Sequence, residues 1–245
     1  MAQAYAALRE EAGHGETDAW VPTEFPTGRR YDRVVAISRS GTTTEVLRFL
    51  RATDLPSLAI TAVAGSPIAE AASAAVVLEF ADEESVVQTR SATGALAFLR
   101  AGLGGDVASA AADAERALAA PLPGDGASHG HFVFLGHGWS VGLANECALK
   151  LRETSLTAAE SYPAMEYRHG PMSLAGPGTL VWILGTPDPA IADDASATGA
   201  TVHVASLDPM AEVVMVHRLA LALAAAKGVD PDHPRHLSRS IVLPG

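Results

Sequence analysis

A hydroxyl-rich turn at residues 38–43, with the sequence SRSGTT, has the composition of an anion site. It follows the apolar run Val34–Ile37 and precedes a helical stretch. The start of a helix offers backbone N–H groups and a favourable dipole to an anion, and open α/β sheets bind ligands at the carboxyl ends of their strands. The turn therefore predicts a phosphate site, although a well-capped helix with surface hydroxyls would explain the same residues. The residues predicted to contact phosphate are Ser38, Arg39, Ser40 and Thr43.

A second group of residues suits proton transfer. Glu146, Lys150 and Glu153 are spaced by four and then three positions, which places them on one face of a helix. A carboxylate beside a lysine and close to buried surface can be tuned as a general base. An ordinary surface ion pair, worth about 0.3–0.5 kcal/mol, would explain the same spacing. Downstream, His169 precedes a Gly-Pro pair in a loop, where a histidine can act as an acid or base near neutral pH.

The amino-acid composition of the chain argues against several classes of function. The chain has 245 residues with 17 basic and 28 acidic side chains, a net charge of −11, which argues against nucleic-acid and anionic-membrane partners. Its only lysines are Lys150 and Lys227, so Lys150 is a candidate for a role that needs a titratable amine. The single cysteine, Cys147, excludes an intrachain disulfide and favours a reducing, cytoplasmic location. The apolar run Leu219–Ala226 is too short to cross a bilayer, and the first residues lack a basic signal-peptide region.

Metal and nucleotide cofactors are not expected. The close histidine pairs at residues 129 and 131 and at 233 and 236 lack a credible third ligand. The glycine loop at residues 136–142 imitates a dinucleotide fingerprint, but its spacing is wrong. No strand ending in an acidic residue follows about 20 residues later, as a ribose contact would require.

Short β-branched runs alternate with alanine-rich stretches, which predicts an α/β protein with parallel sheets. A Pro/Gly/Ser-rich linker at residues 121–130 separates a first lobe, residues 1–120, from a second, residues 131–245. Thr42 and Glu45 have capping-box spacing, which predicts that the helix after the turn begins at Thr42. The predicted helices are Ala2–Glu11, Thr42–Arg51, Pro67–Ser73, Ser85–Ala101, Asp106–Ala119, Ser140–Thr154 and Met215–Lys227. The predicted strands are Asp18–Val21, Val34–Ser38, Leu58–Val63, Val76–Phe80, Phe132–Leu135, Leu180–Leu184, Val202–Ser206 and Ile241–Leu243.

The segments SRSGTTTEVL and ECALKLRETSLTAAESYPAMEYRHGP resemble the sugar isomerase (SIS) superfamily, in particular the isomerase domain of glucosamine-6-phosphate synthase and related phosphosugar isomerases and deaminases. The resemblance implies two flavodoxin-like three-layer αβα lobes and a homodimer or higher oligomer. It implies that Ser38, Arg39, Ser40 and Thr43 hold a sugar 6-phosphate and that Val86 and Gln88 line the sugar. By the same resemblance, Glu153 moves a proton between C1 and C2, Lys150 belongs to its proton network, and His169 opens the sugar ring from a neighbouring subunit.

Four departures from the family pattern limit these expectations. Arg39 stands where the family usually has glutamine, and Arg239 stands where the synthase has a lysine that forms a Schiff base. No glutaminase segment accompanies the chain, so ammonia transfer from glutamine is not expected. The first lobe also lacks the family's initial strand and its Gly-Thr-Ser loop, so we expect an upstream start or a truncated chain with exposed strand edges.

The sequence predicts a phosphosugar isomerase, or a deaminase or deglycase of an aminated sugar phosphate. The alternative is a non-catalytic regulatory module that binds sugar phosphates. The set Glu153, His169 and Lys150 favours the enzyme, since a sensor would not need it. The lack of a helix-turn-helix or basic arm counts against a transcription regulator.

Overall fold

Two parallel sheets form the framework of the chain in a computed structural model, which describes residues 1–243. The first sheet has the order β1-β2-β3 and the second has the order β5-β4-β6-β7, and every pairing is parallel. This architecture confirms the predicted α/β class with parallel sheets in two lobes. The strands are β1 Val34–Ile37, β2 Ser57–Thr61, β3 Ala74–Val77, β4 His131–Gly136, β5 Ala159–Pro163, β6 Thr179–Ile183 and β7 Thr201–Val204.

Helices cover both faces of each sheet. They are α1 Ala2–Glu11, α2 Thr44–Ala52, α3 Pro67–Ala71, α4 Arg90–Gly102, α5 Val107–Ala119, α6 Ser140–Ser155, α7 Ala190–Ala197 and α8 Pro209–Lys227. One face of the first sheet packs against α2 and α3, and the other packs against α1 and α4. In the second lobe, α6 and α8 cover one face, and α7 with a short 3-10 helix covers the other. The largest core cluster includes residues of α1, α4 and α5 as well as α6 and α8, so the two lobes share a helical layer. The division at residues 121–130 stays a prediction.

The predicted strand at Asp18–Val21 is wrong. These residues have no regular structure, and Trp20 and Val21 are exposed. A single extended segment is not stable without a neighbour to which it can hydrogen-bond. Within residues 1–243, β1 pairs with β2 alone and offers no pairing to this segment. The first sheet accordingly has three strands.

The sequence interpretation missed two elements of the second lobe, β5 and α7. It also placed the start of α4 five residues early, at Ser85 instead of Arg90, and the start of α8 six residues late, at Met215 instead of Pro209. The start of α8 did carry a signal: Asp208 accepts a hydrogen bond from the Met210 N–H, and Pro209 occupies the first helical position.

Helix α8 is long and apolar enough to cross a membrane by length and composition. More than half of that stretch is buried, because α8 packs between α5 and α6. Burial inside the protein therefore accounts for its composition.

The turn between β1 and α2 depends on Gly41. Its φ of 66° lies in the left-handed region, and a Cβ on it would stand 2.2 Å from the Ser66 hydroxyl oxygen. Ser66 itself is buried and occupies the N-cap position of α3, without a capping bond from its side chain. A side chain at position 41 therefore meets both backbone strain and a neighbour with little room to move.

We predict that Gly41→Ala lowers the free energy of unfolding by about 3 kcal/mol, through the left-handed backbone and the clash together. Gly65→Ala is the matched control, because Gly65 has a φ of 62° but no atom within 4 Å of the added Cβ. The control should cost about 1 kcal/mol. Chemical denaturation measures both, and equal losses would contradict the close packing at Gly41.

Candidate functional site

The turn at residues 38–43 gathers its hydroxyls at the carboxyl end of β1. Ser38 Oγ lies 3.2 Å from Thr43 Oγ1, and the Thr42 hydroxyl donates to Ser40 Oγ at 3.0 Å. The predicted capping box is wrong, because α2 begins at Thr44 and its N-cap, Thr43, makes no capping bond through its side chain. The hydroxyl of Thr42 is already engaged by Ser40 and Ser240. The hydroxyl cluster and the helix start nevertheless adjoin, as an anion site requires.

The C-terminal tail lies against the start of α2. The Ile241 carbonyl accepts a hydrogen bond from the Thr44 N–H at 3.1 Å, and the Leu243 N–H donates to Thr44 Oγ1 at 2.9 Å. The predicted strand at Ile241–Leu243 is therefore wrong, since the segment bonds to a helix end and not to a sheet. An anion that takes the Thr44 N–H must first displace the Ile241 carbonyl.

Arg39 is buried and binds main-chain carbonyls. Its guanidinium donates to the Ser85 carbonyl and, at 3.0 Å, to the Arg239 carbonyl. Burial lowers the pKa of Arg39, and the positive charge of Arg239 lowers it further. Arg39 thus joins the turn to the loop at Ser85 and to the tail.

The predicted proton-transfer group assembles on α6. Lys150 Nζ lies 2.6 Å from Glu153 Oε2 and 3.4 Å from Glu146 Oε1. Lys150 is only 3 % exposed, whereas about a quarter of the Glu153 side chain reaches the surface. The geometry is that of a buried cation held by two carboxylates, one of which can also meet a ligand. The helix face predicted from the spacing is therefore present.

A cavity of about 180 Å³ lies beside this group. Its walls come from the loop before α4, from α6, from α8 and from the segment after α8. The lining residues are Ser85, Val87, Thr89, Thr154, His217, Leu221, Pro231 and Asp232. Val86 and Gln88, which the resemblance assigned to the sugar, are partly buried but do not line it.

A hydrogen bond links the turn to the cavity wall, whereas Glu153 and Lys150 themselves do not line the cavity. Arg39 of the turn bonds to Ser85, which lines the cavity. Thr154, which also lines it, follows Glu153 directly in α6. The cavity therefore adjoins both of the predicted segments.

His169 does not line this cavity. It ends the 3-10 helix Ala164–His169, which follows the carboxyl end of β5, and its side chain is exposed. Among residues 1–243 no cluster of three His, Cys, Asp or Glu side chains is arranged to hold a metal ion.

The sequence interpretation missed His217. This residue of α8 lines the cavity, and its Nε2 atom is buried without a hydrogen-bond partner among the described residues. Burial, followed by the positive charge of Lys150, lowers its pKa to about 4, against an opposing influence from Glu83. The available signal was a histidine within the long, mostly apolar run of this helix.

Comparison with known proteins finds relatives that match most of the length of this chain. No family model matches the chain. It is 30 % identical over 269 residues to the glutamine–fructose-6-phosphate aminotransferase (isomerizing) of Aeropyrum pernix, covering 86 % of this chain and 43 % of that protein. The corresponding protein of Acidithiobacillus ferridurans is also 30 % identical, over 86 % of this chain and 44 % of its own length. The chain therefore spans less than half the length of these relatives.

Solved structures share the architecture. The glucosamine-6-phosphate deaminase of Thermotoga maritima superposes with a TM-score of 0.85 at 26 % identity, over 98 % of this chain and 86 % of that one. The tagatose-6-phosphate ketose/aldose isomerase of Escherichia coli gives a TM-score of 0.75 at 19 % identity, over 99 % and 83 % of the two chains, which is a likeness of fold.

The depressed pKa of His217 predicts a pH-dependent stability. The ordinary pKa of histidine is 6.5, so between pH 6.5 and pH 4 His217 binds a proton in the unfolded chain but not in the folded chain. The folded state therefore loses stability as the pH falls. Wild type should lose about 2 kcal/mol more than His217→Gln between pH 7 and pH 4.5.

Denaturant unfolding of both proteins at the two pH values measures this difference. Other carboxylates titrate in both proteins and cancel in the comparison. An equal loss would contradict a buried neutral imidazole at position 217.

Proposed function

The chain belongs to the sugar isomerase (SIS) superfamily, and from this premise we propose that it is a phosphosugar isomerase or deaminase acting on a sugar or amino-sugar 6-phosphate. The observation that carries the proposal is the Lys150–Glu153 pair beside a cavity that is linked through Ser85 and Arg39 to the hydroxyl-rich turn. The relatives named for aminotransferase, deaminase and ketose/aldose isomerase activities support the substrate class.

In the proposed reaction, Glu153 is the general base. Its carboxylate takes the proton from C2 of the open-chain aldose phosphate. The C2 electron pair forms the C1–C2 double bond, and the carbonyl oxygen takes up a proton to give an enediol. Addition of a proton at C1 and loss of the O2 hydroxyl proton give the ketose. An amino sugar passes through an enolamine to a C2 imine, and water hydrolyses this imine to the ketose with release of ammonia. Lys150 Nζ lies 2.6 Å from Glu153 Oε2, and in the proposed reaction it holds that carboxylate in position.

The turn would hold the phosphate. The hydroxyls of Ser38, Ser40 and Thr43 lie at the start of α2, where phosphate oxygens find both donors and the helix dipole. Arg39 supports the site indirectly in this arrangement, since it binds the carbonyls of Ser85 and Arg239. Binding at the Thr44 N–H would require the tail to release its Ile241 carbonyl.

Ring opening is the proposed role of His169, supplied by a neighbouring subunit. The exposure of His169 and its position outside the cavity of its own chain support this assignment. The proposal therefore includes a homodimer or higher oligomer with shared sites.

A regulatory module that binds a sugar phosphate without turnover is the second candidate. The observation that favours it is the tail, which bonds to the helix start where phosphate would bind. The two candidates differ in what they require of Glu153.

We predict that Glu153→Gln lowers turnover of fructose 6-phosphate or glucosamine 6-phosphate at least 100-fold, because the amide cannot accept the C2 proton. Glu146→Gln is the matched control, since it removes the other carboxylate beside Lys150, and it should keep activity within about fivefold. Isomer formation and ammonia release report turnover. If wild type and Glu153→Gln turn over alike, or neither does while both bind the sugar phosphate, the catalytic assignment fails.

We also predict that the double variant Ser38→Ala, Thr43→Val weakens binding of inorganic phosphate and of sugar phosphates about tenfold each, through the loss of two hydroxyl donors. Thr53→Ala, at the other end of α2, is the control and should bind both as wild type does. Isothermal calorimetry gives the affinities. Unchanged affinity in the double variant would place the phosphate elsewhere.

A further inference from the structure

His217 stands out among the polar groups of the cavity. Its Nε2 atom has almost no solvent contact and no hydrogen-bond partner in the described part of the chain. Buried side-chain nitrogens and oxygens are nearly always bonded, and one that is not weakens the fold. His217 lines the cavity beside α6, and its ring must turn to bring the enclosed Nε2 atom to a molecule bound there.

The other cavity walls indicate what kind of molecule fits there. Val87 and Leu221 supply an apolar surface, whereas Ser85 and Thr154 supply hydroxyls. A concave site of apolar walls with a few convergent polar groups suits a small polar ligand whose orientation must be fixed. A ligand whose carbon chain carries hydroxyl groups matches these apolar and hydroxyl-bearing walls.

The imidazole is suited to hold one oxygen of such a ligand. It is neutral at neutral pH, since burial and the charge of Lys150 oppose its protonation. A neutral ring can present Nε2 either as a donor or as an acceptor, according to its tautomer. Lys150 and Glu153 lie on the adjoining helix, so an oxygen bound here would lie close to the proposed base.

We propose that His217 Nε2 hydrogen-bonds a hydroxyl or carbonyl oxygen in the sugar portion of the bound phosphosugar and thereby selects the substrate. This assignment rests on the proposed function for the substrate class. It gives His217 a specificity-determining role that is separate from phosphate binding at the turn.

Three variants at this position test the assignment. Leucine fills similar space without a polar atom, glutamine places a polar nitrogen close to the position of Nε2, and asparagine is too short to do so. His217→Leu should melt at a higher temperature than wild type without ligand, by about 2–4 °C, because an unsatisfied buried group is removed. A melting temperature that is equal or lower would overturn the proposal without any ligand being needed.

Binding supplies the second measurement, with fructose 6-phosphate, glucosamine 6-phosphate and inorganic phosphate as separate probes in calorimetry. We expect His217→Leu and His217→Asn to raise the Kd of at least one sugar phosphate about fivefold or more, with the Kd of inorganic phosphate unchanged. His217→Gln should restore the sugar-phosphate Kd to within about twofold of wild type. Equal weakening for inorganic phosphate, or no rescue by glutamine, would assign His217 a structural role and overturn the proposal.

The two proposals fail in different ways. If wild type binds the sugar phosphates no more tightly than inorganic phosphate, the proposed function fails and the role of His217 fails with it. If wild type prefers the sugar phosphates and His217→Leu keeps that preference, the role of His217 alone fails.

Discussion

The burial of one ammonium group constrains the whole second lobe. Lys150 is buried on α6, near enough to α8 for its charge to lower the pKa of His217, and an unpaired charge there would cost far more than a surface charge. Glu153 and Glu146 offset that cost from one turn on either side, and they can do so only while α6 stays helical and packed. The same packing sets Thr154 and His217 on the cavity wall. The helix packing that pairs the buried Lys150 ammonium group therefore also positions the walls of the proposed site.

A second buried cation couples the first lobe to the tail. Arg39 donates to the carbonyls of Ser85 and Arg239, so one residue joins the hydroxyl-rich turn to the cavity wall and to the tail. Carbonyl partners carry only partial charge, and burial lowers the pKa of Arg39 accordingly. Glutamine, which the resemblance to the superfamily predicts at this position, has one amide nitrogen in place of the two guanidinium nitrogens that donate to the two carbonyls. The substitution therefore favours a tail that is held closely against the turn.

Local patterns made helix α6 and the hydroxyl-rich turn predictable, because a spacing of three and four indicates a helix face and an apolar run indicates the strand before the turn. The same local patterns do not show which distant segments of the chain pair with one another. Asp18–Val21 has the composition of a strand but no partner, and Ile241–Leu243 meets a helix end 197 or more positions away in the sequence. His217 was missed for a related reason: its importance comes from a cavity formed by four separate segments.

The tail also limits the chemistry that this chain can perform. A lysine near Arg239 could attack a ketose carbonyl, whereas a guanidinium stays protonated and cannot form an imine. Arg239 is moreover held by Asp82 Oδ1 at 2.5 Å and by the Glu83 carbonyl at 2.6 Å, both on the loop that leads to the cavity. The guanidinium group of Arg239 therefore holds the tail against the loop that leads to the cavity. Proton transfer by a carboxylate needs no imine, so the reaction proposed for Glu153 and Lys150 is compatible with an arginine at position 239.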